Sequence, residues 1–185
     1  FNRWCRDGVW ESLFNGLRDD PDFEYILVDS TIIRAHQHSA GAKKGGLKLS
    51  IGPVESGLTT KVHLVTDALG NPLRFILTGG NRNDITQIEA LLEGMNAKYV
   101  LADKGYDGQN AIAAIQSIGA TPVIPRRSNN AQWRQFDKEL YKDRNAIERF
   151  FSKIKHFRRI ATRYDKLARN YAGFIQIVAA LKWIK

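Results

Sequence analysis

The chain has 185 residues, of which 43% are hydrophobic and 10% aromatic, so it is long and apolar enough for one well-packed domain and does not have the composition of a disordered segment. Its 28 Lys and Arg residues exceed its 19 Asp and Glu residues and give a net charge of +9, which favours a polyanionic partner such as nucleic acid or an anionic membrane surface. The one cysteine, Cys5, excludes an internal disulfide framework and cysteine-based zinc sites, and it agrees with a reducing, cytosolic setting.

The first predicted elements are a helix and a strand. Four apolar residues at helical spacing indicate a short amphipathic helix: Trp10, Leu13, Phe14 and Leu17. Residues 24–35 are rich in β-branched side chains and predict a buried strand that carries Asp29 near its middle. Residues 40–58 contain five glycines and three lysines and predict a mobile, basic, glycine-rich loop. No Gly-Lys-Ser/Thr follows these glycines, so the loop is not a phosphate-binding P-loop.

The remaining elements predict a mixed sheet covered by helices. Residues 60–68 and 72–80 form a predicted β-hairpin, and Asp84 is the predicted N-cap of a helix with an apolar face at Ile85, Ile88, Leu91 and Leu92. A strand that ends at Asp103, a helix at 110–119, a strand at 121–125, a basic loop at 126–135 and two helices follow. The apolar run at 171–184 is too short and too polar for a membrane span, so we expect a buried helix and no membrane partner.

Two aspartates, Asp29 and Asp103, stand in apolar strand patterns. A buried carboxylate costs several kcal/mol unless it is paired, hydrogen-bonded or bound to a metal. Each aspartate alone could be neutralised by a nearby lysine or exposed at a strand end. Asp103 falls where ligand sites of open sheets lie, beyond the C-terminal end of a strand, and the pair together points to a site.

A third acid, Glu148, lies in the basic segment 141–155. On an α-helix, Tyr141, Arg144, Glu148 and Lys155 fall within about 60° of one another and share one face. Arg144 and Glu148 could be an ordinary surface ion pair at i,i+4 spacing. Three carboxylates in a basic protein instead suit Mg²⁺ or Mn²⁺, and two such ions can clamp the attacking and leaving oxygens of a phosphodiester.

The spacing of these four residues is similar to the signature around the third acid of DDE transposases of bacterial insertion sequences. The segments "VDSTIIRAHQHSAGAKKG", "GLTTKVHLVTDALGNPLRFILTGG", "ADKGYD" and "ERFFSKIKHFRRIATRYDKLARNY" resemble the group called insertion sequence family five. The resemblance covers residues 25–185. It implies an α/β, RNase H-like fold in which three antiparallel strands are followed by parallel strands, and a catalytic domain at 25–185 preceded by the end of an N-terminal helical region at 1–24.

The same resemblance implies the roles of individual residues. Asp29, Asp103 and Glu148 would be the catalytic, metal-binding triad for Mg²⁺ or Mn²⁺, with two ions expected. A basic surface would contact DNA near the scissile phosphate: Tyr141, Arg144, Lys155, Arg158 and Arg159. The implied activity is cleavage at element ends and 3′-OH strand transfer into double-stranded target DNA, by a homo-oligomer assembled on DNA at the nucleoid in the bacterial cytoplasm. The alternatives are another RNase H-like nuclease and an inactive, DNA-binding remnant of a transposase.

Several other residues are weaker candidates. His36 and His38 have a spacing that would place both on one side of a strand and let them bind a metal, although such pairs are common by chance. Asp67 and Asp107 are expected in turns or at helix starts, away from the metal site. Trp133 could stack on an unpaired base or anchor the core.

Overall fold

The central strand of the sheet is the one predicted to carry Asp29. The computed structural model describes residues 1–39, 50–54, 57–128 and 136–184. The strands within this part of the chain are β1 Tyr25–Ala35, β2 Gly52–Val54, β3 Gly57–Thr66, β4 Pro72–Gly79, β5 Tyr99–Ala102, β6 Thr121–Val123 and β7 Thr162–Arg163. On one side of β1, β3 runs antiparallel and pairs in turn with β2 and β4. On the other side, β5 and then β6 run parallel to β1.

This order confirms the predicted sheet. Three long antiparallel strands, β1, β3 and β4, precede the parallel strands β5 and β6 along the chain, which is the arrangement that the resemblance implies. Parallel neighbours need a long crossover connection, and the crossovers here, from β1 to β5 and from β5 to β6, each contain one of the helices that cover the sheet. The short β7 was not predicted, and it pairs with the end of β1.

Helices cover both faces of the sheet. Within the described residues they are α1 Asn2–Arg6, α2 Val9–Gly16, α3 Ile88–Leu92, α4 Gln109–Ser117, α5 Lys138–Tyr141, α6 Asn145–Lys155, α7 Arg158–Ala161 and α8 Ala168–Ile184. Apolar side chains of α3 and α4 pack against Val28 and Val100 on one face. Those of α6 and α8 pack against Leu27 and Leu101 on the other face. Because side chains alternate along a strand, every odd-numbered residue of β1 points toward α6.

The apolar face of α6 packs on the sheet. Ile147, Phe150, Phe151 and Ile154 are all buried in the core cluster that also contains Leu27 and Leu64. Burying a large apolar side chain contributes about 1.5–3 kcal/mol, so these four fix the rotation of α6 about its axis. Glu148 therefore stays at the edge of the buried face, next to the sheet.

The predicted loop at 40–58 is wrong in part. Gly52–Val54 and Gly57–Leu58 are strand residues, because Gly52 pairs with Thr59 and Val54 with Gly57 in an antiparallel hairpin. Gly57 has a positive φ of 110°, a conformation that suits glycine. The glycine content of the segment therefore predicts a loop at a place where the chain forms a strand. The rest of that loop, at 40–49 and 55–56, lies outside the described residues, as does Trp133.

The predicted N-cap at Asp84 is also wrong. Asn83 precedes a 3₁₀ turn at Asp84–Gln87, which leads into α3, and the Asp84 carboxylate makes no capping hydrogen bond. It accepts instead from the Ser30 hydroxyl at 2.8 Å and lies 2.9 Å from the Lys61 ammonium, both on the sheet. An ammonium group and a hydroxyl together bind a carboxylate more strongly than the backbone N–H groups in the first turn of a short helix do.

The N-terminal segment forms two helices where one was predicted. Gly8, with a φ of 71°, is the N-cap of α2 and separates it from α1. Phe14 of α2 is buried against Ala179 and Ala180 of α8. The division into a region at 1–24 and a catalytic domain at 25–185 stays a prediction. None of the helices in the described ranges has the length and hydropathy that a bilayer span requires.

Candidate active site

Asp29 and Asp103 lie side by side on neighbouring parallel strands. Val28 of β1 pairs with Ala102, the last residue of β5, so Asp29 in β1 lies next to Asp103, which directly follows β5. Val28 and Ala102 point toward the face covered by α3 and α4. The next residue of each chain segment, Asp29 or Asp103, therefore points toward the face covered by α6. Two acids that are 74 positions apart in the sequence are thus brought together by strand register alone.

The Asp29 carboxylate is nearly buried, since its side chain is 17% exposed. Oδ1 accepts from the backbone N–H of Ser30 at 2.8 Å, and Oδ2 accepts from Arg144 Nη1 at 2.8 Å. Burial raises the pKa of Asp29 to about 6, and the negative charge of Asp103 adds to the rise, whereas the Ser30 N–H and Arg144 oppose it. The protein thus holds an acid whose negative charge is only partly compensated.

The Asp103 carboxylate is held by the turn that follows β5. It accepts from the backbone N–H of Gly105 at 2.5 Å and caps the 3₁₀ turn Lys104–Tyr106. A Cβ atom at Gly105 would lie 2.6 Å from Asp103 Oδ1, so a larger side chain there displaces the carboxylate. Arg127 pins the same turn by donating to the carbonyl oxygens of Gly105 and, at 2.6 Å, of Lys104.

Arg144 bridges two of the three predicted acids. One guanidinium nitrogen donates to Asp29 and the other to Glu148, so the cation lies between β1 and α6. Burial alone would lower the pKa of Arg144, but Asp29, Tyr141 and Glu148 raise it above its ordinary value. The guanidinium also lies over the ring of Tyr141, with 5.6 Å between its carbon and the ring centroid. Its side chain is 17% exposed, whereas that of Glu148 is 50% exposed.

The backbone around Arg144 explains this arrangement. A 3₁₀ turn at Lys142–Arg144 joins α5 to α6, and the main chain stays in the right-handed helical region throughout. The spacing between Tyr141, Arg144 and Glu148 is therefore close to that of a continuous helix, as predicted. Asp137 begins the segment as an N-cap, because its carboxylate accepts from the N–H groups of Glu139 and Leu140.

The other predicted DNA-contacting residues lie farther along the same surface. Lys155 is the last residue of α6, about 10 Å along the helix axis from Glu148. Arg158 and Arg159 follow in α7 and are exposed, and the Arg159 guanidinium stacks over the ring of Phe174 at 4.8 Å. The structure thus brings Asp29, Asp103, Tyr141, Arg144 and Glu148 into one site and places these three cations beyond it.

The weaker candidates lie outside this group. Asp67 closes the β3–β4 turn by accepting from the backbone and side-chain amides of Asn71 at 2.7 and 2.9 Å, as expected of a turn residue. Asp107 accepts from the backbone N–H of Arg127 at 2.7 Å. The rings of His36 and His38 contact each other, with centroids 4.8 Å apart. Across the described part of the chain, no three His, Cys, Asp or Glu side chains form a ready-made metal cluster.

Sequence reasoning missed a second group of polar residues on the opposite face of the sheet. Its members are Ser30, Lys61, His63, Asp84 and Tyr106, all buried or half-buried. A signal was present in β3, where Lys61 and His63 alternate with Val62 and Leu64 in a strand that is buried on both faces. Polar residues at every second position of such a strand need partners inside the protein.

The raised pKa of Asp29 predicts a pH-dependent penalty on stability. A carboxyl whose pKa rises on folding does not change the unfolding free energy at a pH below its unfolded pKa. It lowers the unfolding free energy by the full amount of the pKa shift at a pH above its folded pKa. Without divalent ions at pH 8, the unfolding free energy of Asp29→Asn should therefore exceed that of the wild type by on the order of 2–3 kcal/mol. The variant should accordingly unfold at a higher urea concentration. The difference should shrink as the pH falls from about 6 toward 4.

Urea titrations at pH 4, 6 and 8 in EDTA would measure this difference. Glu139→Gln is a matched control, because Glu139 is an exposed acid on α5 whose ion pair with Lys142 is also exposed. A gain in stability for Asp29→Asn that is the same at pH 4 and pH 8, or a loss at pH 8, would contradict the prediction.

Comparison with known proteins places the chain among transposases. The family model described as the transposase DDE domain matches residues 20–183. The chain is 38% identical over 130 residues to a putative transposase for insertion sequence element IS6501 from Brucella ovis, a match that covers 69% of this chain and all of that relative. It is 33% identical over 134 residues to a putative transposase for element IS402 from Burkholderia cepacia, with 66% of this chain and 61% of that relative covered.

Solved structures of the Mos1 transposase show some likeness to this chain. The Mos1 strand transfer complex has a TM-score of 0.38 and 11% identity and is matched over 98% of this chain and 59% of the Mos1 chain. The catalytic domain of Mos1 mariner transposase has a TM-score of 0.36 and 10% identity, over all of this chain and 92% of that chain.

Proposed function

The chain belongs to the transposase DDE domain family, and from that membership we propose that it cleaves DNA at the ends of an insertion sequence and joins the freed 3′-OH ends to target DNA. The observation that carries this proposal is the pairing of β1 with β5, which places Asp29 next to Asp103, together with the bridge of Arg144 from Asp29 to Glu148 of α6.

The donor set suits a divalent cation. Carboxylate oxygens are the ligands that Mg²⁺ and Mn²⁺ prefer, and the buried Asp29 is an anion that Arg144 only partly compensates. We propose that Asp29, Asp103 and Glu148 hold one or two Mg²⁺ or Mn²⁺ ions. Such ions, when bound, would lower the pKa of the attacking water or 3′-OH and stabilise charge on the phosphate. Arg144 has to release Asp29 and Glu148 before these two carboxylates can serve as ligands.

The basic residues are proposed to position the DNA. Arg144, once released from Asp29, has two parallel N–H groups that suit a phosphate, and Tyr141 supports its guanidinium from the side. Lys155, Arg158 and Arg159 extend the positive surface along α6 and α7 and would follow the DNA backbone away from the cleavage point. In strand transfer, the attacking 3′ oxygen forms a bond to phosphorus while the bond to the target's own 3′ oxygen breaks, which leaves the target with a new 3′-OH.

The proposed partners follow from this chemistry. Double-stranded DNA supplies both the element end and the target, and joining two ends usually demands at least two subunits, so a homo-oligomer on DNA is expected. The proposed setting is the nucleoid in the bacterial cytoplasm, where such DNA lies. We propose residues 25–185 as the catalytic domain and residues 1–24 as the end of a helical region that contributes to binding element ends.

A strand-transfer assay tests the proposal against its rivals. A labelled duplex that ends in the terminal sequence of the element encoding the chain, with its 3′-OH exposed, is incubated with supercoiled plasmid and Mg²⁺ or Mn²⁺. Covalent transfer of the label to the plasmid is the expected result. Cleavage without joining would favour an RNase H-like nuclease, and DNA binding with neither reaction would favour an inactive remnant.

A further inference from the structure

The polar group on the far side of the sheet is connected to the proposed active site through one residue. Asp29 and Ser30 are adjacent in β1, so their side chains point to opposite faces, Asp29 toward α6 and Ser30 toward α3 and α4. Ser30 lies opposite His63 of β3, and Lys61 is on the same face two positions along. The loop after β4 brings Asp84 against all three of these residues.

Ser30 makes two hydrogen bonds that point in different directions. Its backbone N–H donates to Asp29 Oδ1 at 2.8 Å, and its hydroxyl donates to Asp84 Oδ1 at 2.8 Å. The first bond leaves Asp29 Oδ2 to Arg144. The two oxygens of the Asp29 carboxylate therefore have separate partners. The orientation of Oδ1 depends on how Ser30 is held.

Asp84 is itself held firmly. Its Oδ1 lies 2.9 Å from Lys61 Nζ, and the same ammonium donates to the carbonyl of Arg82 at 2.7 Å. His63 is fully buried, with Nε2 2.8 Å from the Thr78 hydroxyl and Nδ1 3.6 Å from Asp84. Burial lowers the pKa of His63 to about 4, so the charge opposite Asp84 comes from Lys61.

Tyr106 closes the group from the turn after Asp103. Its side chain is fully buried, and burial raises the pKa of its phenol, with Asp84, Asp29 and Asp103 adding to the rise. The phenol therefore stays protonated in the electrostatic field of these three carboxylates. A buried ion pair is weak evidence for stability, because apolar residues of similar volume would serve the fold as well. A polar network directly behind Asp29 instead points to a role in fixing the geometry of that carboxylate.

We propose that Asp84 and Ser30 are positioning residues, which hold the Asp29 carboxylate in place from the opposite face of the sheet. Lys61 anchors Asp84, Asp84 holds the Ser30 hydroxyl, and the Ser30 N–H orients Asp29 Oδ1. This inference rests on the proposed function, because what it positions is the proposed metal-binding and catalytic acid. Groups that orient metal ligands in this way change metal affinity or activity about 10- to 100-fold when they are removed.

The experiment compares Ser30→Ala, Ser30→Thr, Asp84→Asn and Asp84→Ala with the wild type. The first readout is Mn²⁺ affinity by electron paramagnetic resonance, without DNA. The second is single-turnover DNA cleavage as a function of Mn²⁺ concentration, with DNA affinity measured separately in EDTA. Ser117→Ala is the matched control, because it removes a hydroxyl that bonds only within α4, to the carbonyl of Ala114.

Ser30→Ala should weaken Mn²⁺ binding about tenfold and raise the Mn²⁺ concentration for half-maximal cleavage by a similar factor, with DNA affinity unchanged. Ser30→Thr keeps the hydroxyl and should restore both values. Asp84→Asn keeps an oxygen for the Ser30 hydroxyl and should have a smaller effect than Asp84→Ala. The double variant Ser30→Ala with Asp84→Ala should be no worse than the stronger single variant, because both act through one contact.

The positioning role of Ser30 and Asp84 is refuted if Ser30→Ala has the same Mn²⁺ affinity as Ser117→Ala. It is also refuted if the effects of Ser30→Ala and Asp84→Ala on Mn²⁺ affinity simply add in the double variant. Circular dichroism shows whether Asp84→Ala folds, and Ser30→Ala and Asp84→Asn decide the question if it does not. A wild type that binds Mn²⁺ but cuts no DNA would overturn the proposed function alone. A wild type that cuts DNA, beside an unaffected Ser30→Ala, would overturn the positioning pair alone, and a wild type that neither binds nor cuts would overturn both.

Discussion

Replacing Asp29 or Asp103 with Asn, or Glu148 with Gln, should each lower single-turnover cleavage of element-end DNA by about a thousandfold or more, while DNA affinity in EDTA falls less than about threefold. Each amide keeps the size of the side chain but loses the charge that a divalent cation requires. Asp29 and Asp103 lie side by side on paired strands and Glu148 shares Arg144 with Asp29, so each loss breaks the same site.

Quenched-flow cleavage of a labelled duplex would measure the rates, and fluorescence anisotropy would measure the DNA affinities. Glu139→Gln is the control, since it changes an acid of the same type on α5, and that acid is paired only with the exposed Lys142. Retention of more than about a tenth of the wild-type rate by any of the three variants would remove that residue from the proposed triad.

Replacing Arg144 with Gln should have opposite effects on metal and on DNA. Without DNA at pH 8, where Asp29 is ionised, Mn²⁺ should bind about tenfold more tightly, because a cation that competes for Asp29 and Glu148 is gone. With DNA at saturating Mn²⁺, cleavage should fall about 100-fold, because the phosphate loses its two-pronged donor. Arg144→Lys should bind Mn²⁺ with intermediate affinity, since one ammonium cannot reach both acids in the same way.

Calorimetric Mn²⁺ titration and single-turnover cleavage on the same preparations give the two readouts. Lys142→Gln is a suitable control, because it removes a neighbouring cation that pairs only with Glu139 at the surface. Weaker Mn²⁺ binding by Arg144→Gln would show that Arg144 supports the metal ligands, and it would contradict the idea that the guanidinium competes with the ion.

The sheet and the pairing of Asp29 with Asp103 were predictable because each depends on local patterns. A β-branched run with one acid in its middle, and an apolar run that ends in another acid, identify two buried strands, and parallel pairing then brings the acids together. The α6 face was predictable for the same reason, since helical periodicity separates Ile147 and Phe151 from Glu148.

The parts that were missed depend on contacts between distant segments. The partner of Asp84 is Ser30, 54 residues away, so its local sequence could indicate a helix cap but not the competing contact on the sheet. Arg144 was predicted as a DNA contact, and its bridge between Asp29 and Glu148 depends on how closely α6 approaches β1. Glycine content hid β2, because pairing with β3 decides its conformation.

The position of β1 at the centre of the sheet also limits when this enzyme can become active. β1 pairs with β3, β5 and β7, and Glu148 is delivered by α6, which follows most of the strands along the chain. Contacts of such long sequence separation form slowly and late in folding. A chain still emerging from the ribosome therefore has Asp29 and Asp103 but lacks both Glu148 and the basic residues of α6 and α7, so a nascent or prematurely ended product can neither cut DNA nor hold it in the proposed way.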